Sequence, residues 1–400
     1  MTIECELVDS LMRPVEQAPV LSVVIPTFFR PKEMTDAVIS VASQVDDALL
    51  GKVEIIVTDN TSGPDTHAAL KQLADTYPFL NYMIHARDMG GPVQIFGAAF
   101  RARGRWTWVF GDDDALADGG LAPIVEVLER EAPAFLTVNR EVWNPSFTTL
   151  LSASKHDLPD TRFDTFLDLL HLFGFDQLSF LTSQIYATDL ARKVDLSPYL
   201  PSLCRFVQLA YYVEAFHDRP AYYLSKPFVR HRWDPDARAT HAANFLDLAT
   251  SLPELVQLAA DKTGLEPGLF ERIGGRRMLV GAESRPVTFV DNILENLWRC
   301  VAIGAAISDK DWDMLTRLSG QWRPDHVEQL NTVRQIHGSV AKALQHHQTL
   351  VDEHRARAAA IPRTPAELDM LGQIASAVKS LEGEINGARK VAFDMAGQFS

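Results

Sequence analysis

Between Leu21 and Asp114 the chain has four short β-branched or aromatic runs, each ending in a polar break, with an amphipathic stretch after each of the first three. Leu21-Ser22-Val23-Val24-Ile25 reads as a strand buried on both faces and ends at Pro26-Thr27. Pro31 opens a helix with Met34, Ala37, Val38, Val41 and Ala42 on one face. Val53-Glu54-Ile55-Ile56-Val57 is a second strand, stopped by the turn-forming run from Asp59 to Pro64. A helix carrying Ala68, Ala69, Leu73 and Ala74 follows, then a strand from Leu80 to Ile84 and a helix from Val93 to Arg103. The fourth strand, Trp106-Thr107-Trp108-Val109-Phe110, runs straight into Gly111-Asp112-Asp113-Asp114. Strand and helix alternating with short connections specify an α/β fold with a mostly parallel, doubly wound sheet. Such sheets bind ligands beyond the carboxyl ends of their strands. Thr27 to Arg30, Asp59-Asn60 and the acidic triplet are therefore expected on one rim.

The 400 residues are 46% hydrophobic and 22% charged, enough apolar surface for a sizeable core. A formal net charge of −14 argues against a nucleic-acid binder, which needs a basic face. Cys5, Cys204 and Cys300 are an odd number without metal-ligand spacing, so a reducing compartment is favoured over a disulfide framework. The first twenty residues hold four acids and one Arg with no apolar segment, and no run reaches the roughly 18 apolar residues of a membrane span. A cytoplasmic protein is expected, with peripheral attachment at the inner membrane face left open.

Residues 1–20 read as an irregular arm, 21–240 as the α/β domain and 241–400 as a mainly helical region. After about residue 135 the pattern loosens; Tyr222-Tyr223-Leu224 and Pro227-Phe228-Val229 read as a late strand or hairpin near the same sheet. Thr364-Pro365-Ala366-Glu367 has the form of a helix start. Leu371, Ile374, Val378, Leu381 and Ile385 follow heptad-like spacing, and Val327, Leu330, Val333, Ile336 and Val340 form an earlier stripe. These stripes pack within their own domain or, on a sharper reading, build an oligomerisation hairpin over 325–400 that would make a homo-oligomer.

Three consecutive carboxylates raise one another's pKa unless a cation lies among them. A hard divalent ion, with a diphosphate as its other ligand, relieves that cost. The competing reading is an Asp-rich turn before the helix near Leu121. Placement at the end of the fourth parallel strand favours the metal.

Leu21 to Arg30, the second strand with its turn (Val53 to Ser62), Arg87-Asp88-Met89-Gly90, and Arg103 to Leu116 together resemble family 2 glycosyltransferases in order and spacing. Asp88 stands where that family has Asn. The Asp59-Asn60 and Gly111-Asp112-Asp113-Asp114 variants resemble the subgroup of abequosyltransferases and other O-antigen enzymes. The resemblance covers about the first third of the chain and implies the GT-A fold and transfer from a nucleotide-diphosphate sugar, as in polysaccharide biosynthesis, with Mn²⁺ or Mg²⁺ as cofactor. It implies that Asp59 accepts a hydrogen bond from the donor base, in a nucleotide-sugar pocket lined by Pro26, Thr27, Phe29, Arg30, Asn60, Arg87 and Gly90. Asp112 would lie near the ribose. Family register makes Asp113 the metal ligand, whereas D-x-D geometry selects Asp112 and Asp114. Arg230-His231-Arg232 follows the late strand; Arg230 would meet the diphosphate and His231 the metal or diphosphate, unless the three form a solvated edge paired with Asp234 and Asp236.

The mechanism implied is a single displacement onto a hydroxyl of a glycan, lipid-linked or protein acceptor. The family's acidic base would fall near Arg205-Phe206-Val207, where no acid stands. Glu214 and Asp176 are the substitutes considered, with Asp189 behind them. That gap keeps a second reading alive, a non-catalytic nucleotide-sugar-binding or assembly subunit. A nucleotidyltransferase is disfavoured because no Gly-rich basic loop follows the first strand. Trp143, Phe175, Phe180 and Tyr186 are candidates to stack on acceptor sugars, or else core. Arg276-Arg277 is a weak candidate for an acidic acceptor such as a lipid diphosphate. His346-His347 and His354 read as a solvated helix face.

Overall fold

A computed structural model describes residues 6–199, 204, 206–233, 251–274, 297, 307–322, 324 and 327–359, with five positions between 373 and 381. Its strands are β1 (Leu7–Leu11), β2 (Leu21–Thr27), β3 (Val53–Asp59), β4 (Leu80–His85), β5 (Trp106–Val109), β6 (Ala115–Leu116), β7 (Phe135–Trp143), β8 (Leu150–Ser152), β9 (Thr161–Phe163), β10 (Gln184–Ala187) and β11 (Ala221–Arg232). Its helices are α1 (Pro31–Ala42), α2 (Pro64–Thr76), α3 (Gly91–Arg101), α4 (Leu121–Glu131), α5 (Phe166–Ser179), α6 (Thr188–Ala191), α7 (Val207–Phe216), α8 (Leu252–Thr263), α9 (Leu269–Gly274), α10 (Asp309–Trp322) and α11 (Val327–Ala359).

The strands form one sheet in the order β1-β4-β3-β2-β5-β10-β7-β11-β6, with β8 on β7 and β9 on β11. β4, β3, β2 and β5 are mutually parallel, as the alternation requires. β10 inserts antiparallel between β5 and β7, and β11 then runs parallel to β7. The expected late strand is thus one long strand, and its partner β7 was not legible. Every residue of β3 and all but one of β2 are buried. The predicted face of α1 is the one that packs: Met34, Ala37, Val38, Val41 and Ala42 are all buried.

The arm expected over 1–20 is not irregular throughout. Leu7–Leu11 pairs antiparallel with β4. Arg13 then fastens the chain, donating to the Leu80 and Ala74 carbonyls while its backbone N–H meets Asn81 Oδ1.

Two compact units are present, Met1–Asp234 with Ser251–Val287, and Pro235–Thr250 with Thr288–Ser400. The first therefore takes in α8 and α9 as well as the sheet. In the second, Trp312, Leu315 and Leu318 of α10 are buried, as are Leu330, Val333 and Val340 of α11. Arg334 joins the two helices through Asp309 (2.9 Å) and Asp313 (3.3 Å). Most of the later stripe and the helix start at Thr364 lie outside the described residues, as do Arg276, Arg277, Cys5 and Cys300. No helix among the described residues is long and apolar enough to cross a membrane.

One buried ion pair locks the parallel strands to the connection that follows α3. Glu54, 3% exposed, accepts from the Ser22 hydroxyl, the Arg103 backbone N–H (2.8 Å) and the Arg103 guanidinium (Nε at 2.7 Å). A Cβ on the neighbouring Gly104 would lie 2.7 Å from the Ser22 backbone nitrogen, so only glycine allows this approach. Removing one partner of such a pair strands the others. Glu54→Ala is expected to lose about 3 kcal/mol of unfolding free energy; a urea titration showing under about 0.5 kcal/mol, the scale of an ordinary surface substitution, would refute this role.

Candidate donor site

β2 and β5 are adjacent and parallel, with Val24 opposite Val109. Three residues further along each strand this register brings Thr27 to Asp112. The Thr27 hydroxyl donates to Asp112 Oδ2 at 2.8 Å. Arg30, just ahead of α1, places its NH1 nitrogen 3.2 Å from Asp112 Oδ1 and 2.8 Å from Asp113 Oδ2. The side chain of Asp112 is 11% exposed and that of Asp113 is 44% exposed.

Asp114 has a different environment from its two neighbours. It is buried, accepts the Thr182 hydroxyl on Oδ2 and takes the Arg232 backbone N–H on Oδ1 at 3.1 Å. Thr182 in turn accepts from the Gly111 N–H at 3.0 Å. The triplet is thus anchored at its inner end and open at Asp113. Burial, with Asp113 beside it, pushes Asp112 up to about 6 despite Arg30 and Thr27. Burial, again with Asp113 beside it, raises Asp114 well above the usual range. Burial works against the charge of Arg30, yet Asp112 and Asp113 outweigh it and its pKa rises.

The second rim segment is built around two side chains. Asp59 is fully buried; its carboxylate accepts the Ser62 N–H at 3.0 Å and meets His67 Nε2 at 3.1 Å. Both interactions close the turn after β3. Asn60 ties that turn to the segment before α3, accepting from Met89 N–H (2.8 Å) and Gln94 (3.2 Å) and donating to Asp88. Asp88, in the place of the family's Asn, therefore accepts where an amide would also donate. Gly90 has φ of 77°, which suits glycine, and donates its N–H to Asp88 at 2.7 Å. His85, at the end of β4, is held down to about 4 by burial and by Arg101. Phe29 adopts φ of 54°, donates its N–H to Ser62 Oγ, and is 61% exposed beside Phe28. Arg87 is exposed and Pro26 partly so.

β6, continuing from the triplet, pairs Ala115 with Arg230 of β11, and β11 pairs Arg230 with Glu141 of β7. Residues in register share a face, so Arg230, Glu141 and Trp143 gather there. Arg230 lies 3.7 Å from Glu141 and 3.7 Å from Asp118, and the Trp143 indole donates to Glu141 Oε2 at 2.7 Å. Arg232 donates to the Asp113 carbonyl at 2.6 Å and stacks on Phe147. His231 points to the opposite face, its ring 4.4 Å from that of Phe180, whose other neighbour is the Arg140 guanidinium. Asp234 and Asp236 lie outside the described residues.

Among the described residues no three His, Cys, Asp or Glu side chains form a metal-binding group. His231 packs on Phe180, and Asp114 spends both oxygens within the protein. Asp112 and Asp113 remain as a two-carboxylate pair, which fits an ion that takes its other ligands from a diphosphate and water.

Glu214 is engaged elsewhere: it accepts from the Tyr199 hydroxyl and pairs with Lys262 of α8 at 2.9 Å. Asp176 lies on α5, but its side chain is outside the described residues. Asp189 is exposed on α6 near Arg192. Of the aromatic candidates, Phe175 and Tyr186 are core, 2% and 1% exposed, whereas Trp143 lies at the rim. The carboxylate that the sequence reading passed over is Glu141. Recognising Phe135–Trp143 as a strand would have placed Glu141 at a carboxyl end beside Arg230.

Residues 22–185 match the family model described as Glycosyl transferase family 2. Abequosyltransferase RfbV of Salmonella typhimurium is 28% identical over 122 residues, which cover 30% of this chain and 36% of that protein. The chain thus spans about a third of the curated relative it matches. Among solved structures, S. aureus TarS 1-349 in complex with UDP aligns at a TM-score of 0.46 and 16% identity over 79% of this chain and 90% of that one. Mannosyltransferase PcManGT from Pyrobaculum calidifontis, in complex with GDP-Man and Mn²⁺, aligns at 0.41 and 13% over 96% and 90%.

The raised pKa of Asp112 has a testable sign. Below its unfolded value near 3.8 it is protonated in both states and costs nothing. As pH rises through 3.8 to about 6 the unfolded chain ionises first, so folding loses stability, and above about 6 the full cost persists. In metal-free buffer Asp112→Asn should therefore be more stable than wild type at pH 7.5, by on the order of 2 kcal/mol, with the gain vanishing near pH 4. Thermal denaturation across that range reads it out, and a pH-independent difference would contradict it.

Proposed function

With residues 22–185 carrying a family 2 glycosyltransferase segment, we propose that this protein transfers a sugar from a nucleotide-diphosphate donor to a hydroxyl of a glycan, lipid-linked or protein acceptor. The observation that carries this reading is the Thr27–Asp112–Arg30–Asp113 cluster at the carboxyl ends of β2 and β5. It sets a partly exposed carboxylate pair beside a guanidinium, and that is donor-site chemistry: carboxylates for a divalent ion, Arg for phosphate oxygens.

Asp112 and Asp113 would hold Mn²⁺ or Mg²⁺, whose contribution is to neutralise the diphosphate as it leaves. Asp114 keeps the loop rigid through Thr182 and the Arg232 amide. The closed turn at Asp59 and Asn60, with Phe29 packed over Gly63, forms the floor for the nucleoside. Arg230 faces the sugar-phosphate side. In the displacement the acceptor oxygen bonds to the anomeric carbon as the bond to the diphosphate breaks, and a carboxylate takes the acceptor proton. Glu141 suits that role: it is partly exposed, oriented by the Trp143 indole, and reached from the triplet through the β6–β11–β7 register.

The first test is thermal stability against nucleoside diphosphates with and without Mn²⁺. A ligand of the folded state raises the melting temperature by mass action. One nucleotide should give a metal-dependent shift of several degrees, lost in Asp113→Ala; no shift with any nucleotide would favour an assembly subunit without donor chemistry. Once the donor is known, Glu141→Gln should keep that shift while transfer to the acceptor falls about 100-fold or more. Unchanged transfer would remove Glu141 as the base.

A further inference from the structure

Arg30 lies where the reading above needs a metal ion. A single guanidinium nitrogen bridges Asp113 Oδ2 at 2.8 Å and Asp112 Oδ1 at 3.2 Å, while Thr27 takes the remaining oxygen of Asp112. The Arg30 side chain is 51% exposed and leads into the first turn of α1, so its long stem has open solvent beside it. A guanidinium and a divalent ion cannot share this pair favourably, because two negative charges would face three positive ones at contact distance. Adding a diphosphate changes the balance: it supplies further negative charge and pairs of oxygens that the planar guanidinium fork can meet bidentately.

We propose that Arg30 is the resident counter-ion of the donor site. It holds Asp112 and Asp113 together while the site is empty, opposes entry of a divalent ion alone, and moves onto the diphosphate when nucleotide and metal arrive together. The inference rests on the donor and metal reading given above. It makes nucleotide and metal binding mutually reinforcing, each removing the obstacle to the other, as linkage requires.

The test is titration of the full chain with Mn²⁺, followed by the electron paramagnetic resonance signal of the free ion, with and without each common nucleoside diphosphate. Arg30→Gln should bind Mn²⁺ alone about tenfold more tightly than wild type, while its affinity for the nucleoside diphosphate falls about fivefold or more. Arg30→Lys, which keeps the charge, should stay near wild type for Mn²⁺ alone. Asp113→Asn should abolish the gain of Arg30→Gln, placing that ion between these carboxylates. A merely structural Arg30 would weaken both ligands on removal. Equal Mn²⁺ affinity in wild type and Arg30→Gln would overturn the inference and leave the metal site standing. No bound Mn²⁺ in any variant, whatever nucleotide is present, would remove the metal reading and this inference together.

Discussion

The parallel pairing of β2 with β5 is the constraint from which the site follows. With Val24 opposite Val109, the chain leaves both strands at the same edge, and Thr27 meets Asp112 three residues later. Shifting one strand by one residue would exchange the side chains it presents to the two sides of the sheet and part Thr27 from Asp112. The register is protected from that shift by burial on both sides, by the Trp108 indole bonded to the Thr182 carbonyl at 2.7 Å, and by the Glu54 cluster at the opposite end. Packing in the middle of the sheet therefore sets a hydroxyl–carboxylate distance at its rim.

The rim concentrates negative charge, and the fold handles each carboxylate differently. Asp59 is spent on a turn, Asp114 on Thr182 and a backbone amide, and Asp112 on Thr27 and Arg30. Asp113 is the most exposed of the triplet. The electrostatic cost falls on Asp112 and Asp114, whose pKa values burial drives up with Asp113 beside them. A protein net acidic by −14 still presents Arg30, Arg230 and Arg232 around one edge. Local basicity for a phosphate ligand needs no basic chain.

Much of this was legible along the chain because the informative interactions are local. The buried runs of β2, β3 and β5, the inward face of α1 and the triplet at a strand end follow from period and punctuation within windows of about ten residues; in α2 only Leu73 and Ala74 of the expected face are buried, Ala68 is exposed, and Thr66 and Leu70 turn inward instead. The N-terminal strand escaped notice because Leu7–Leu11 is an edge strand whose residues are mostly exposed, so it carries no hydrophobic alternation. β7 and β10 were missed for the opposite reason: buried Thr, Asn, Arg and Gln interrupt their apolar pattern, and Asn139 and Arg140 find partners far along the chain. Asn139 shows this, bonding to Ser154, His156 and Ser225.

By itself the sequence determined the parallel half of the sheet, the rim on which Thr27, Asp59 and Asp112 would meet, and the chemical character of that rim, since each depends on residue types at short spacing. Only the tertiary structure decided which partner each carboxylate meets. Asp112, Asp113 and Asp114 are identical residues in sequence, and what separates them is Thr182, Arg232 and Arg30, brought respectively from the turn before β10, from β11 and from the start of α1. Glu214 is drawn to Tyr199 and Lys262, while Glu141 comes to lie beside Arg230 and the Trp143 indole, for the same reason. A carboxylate's chemistry is set by its burial and its neighbours, and those neighbours are assembled by the crossing of β10 and β11 into a sheet that the local pattern left unfinished.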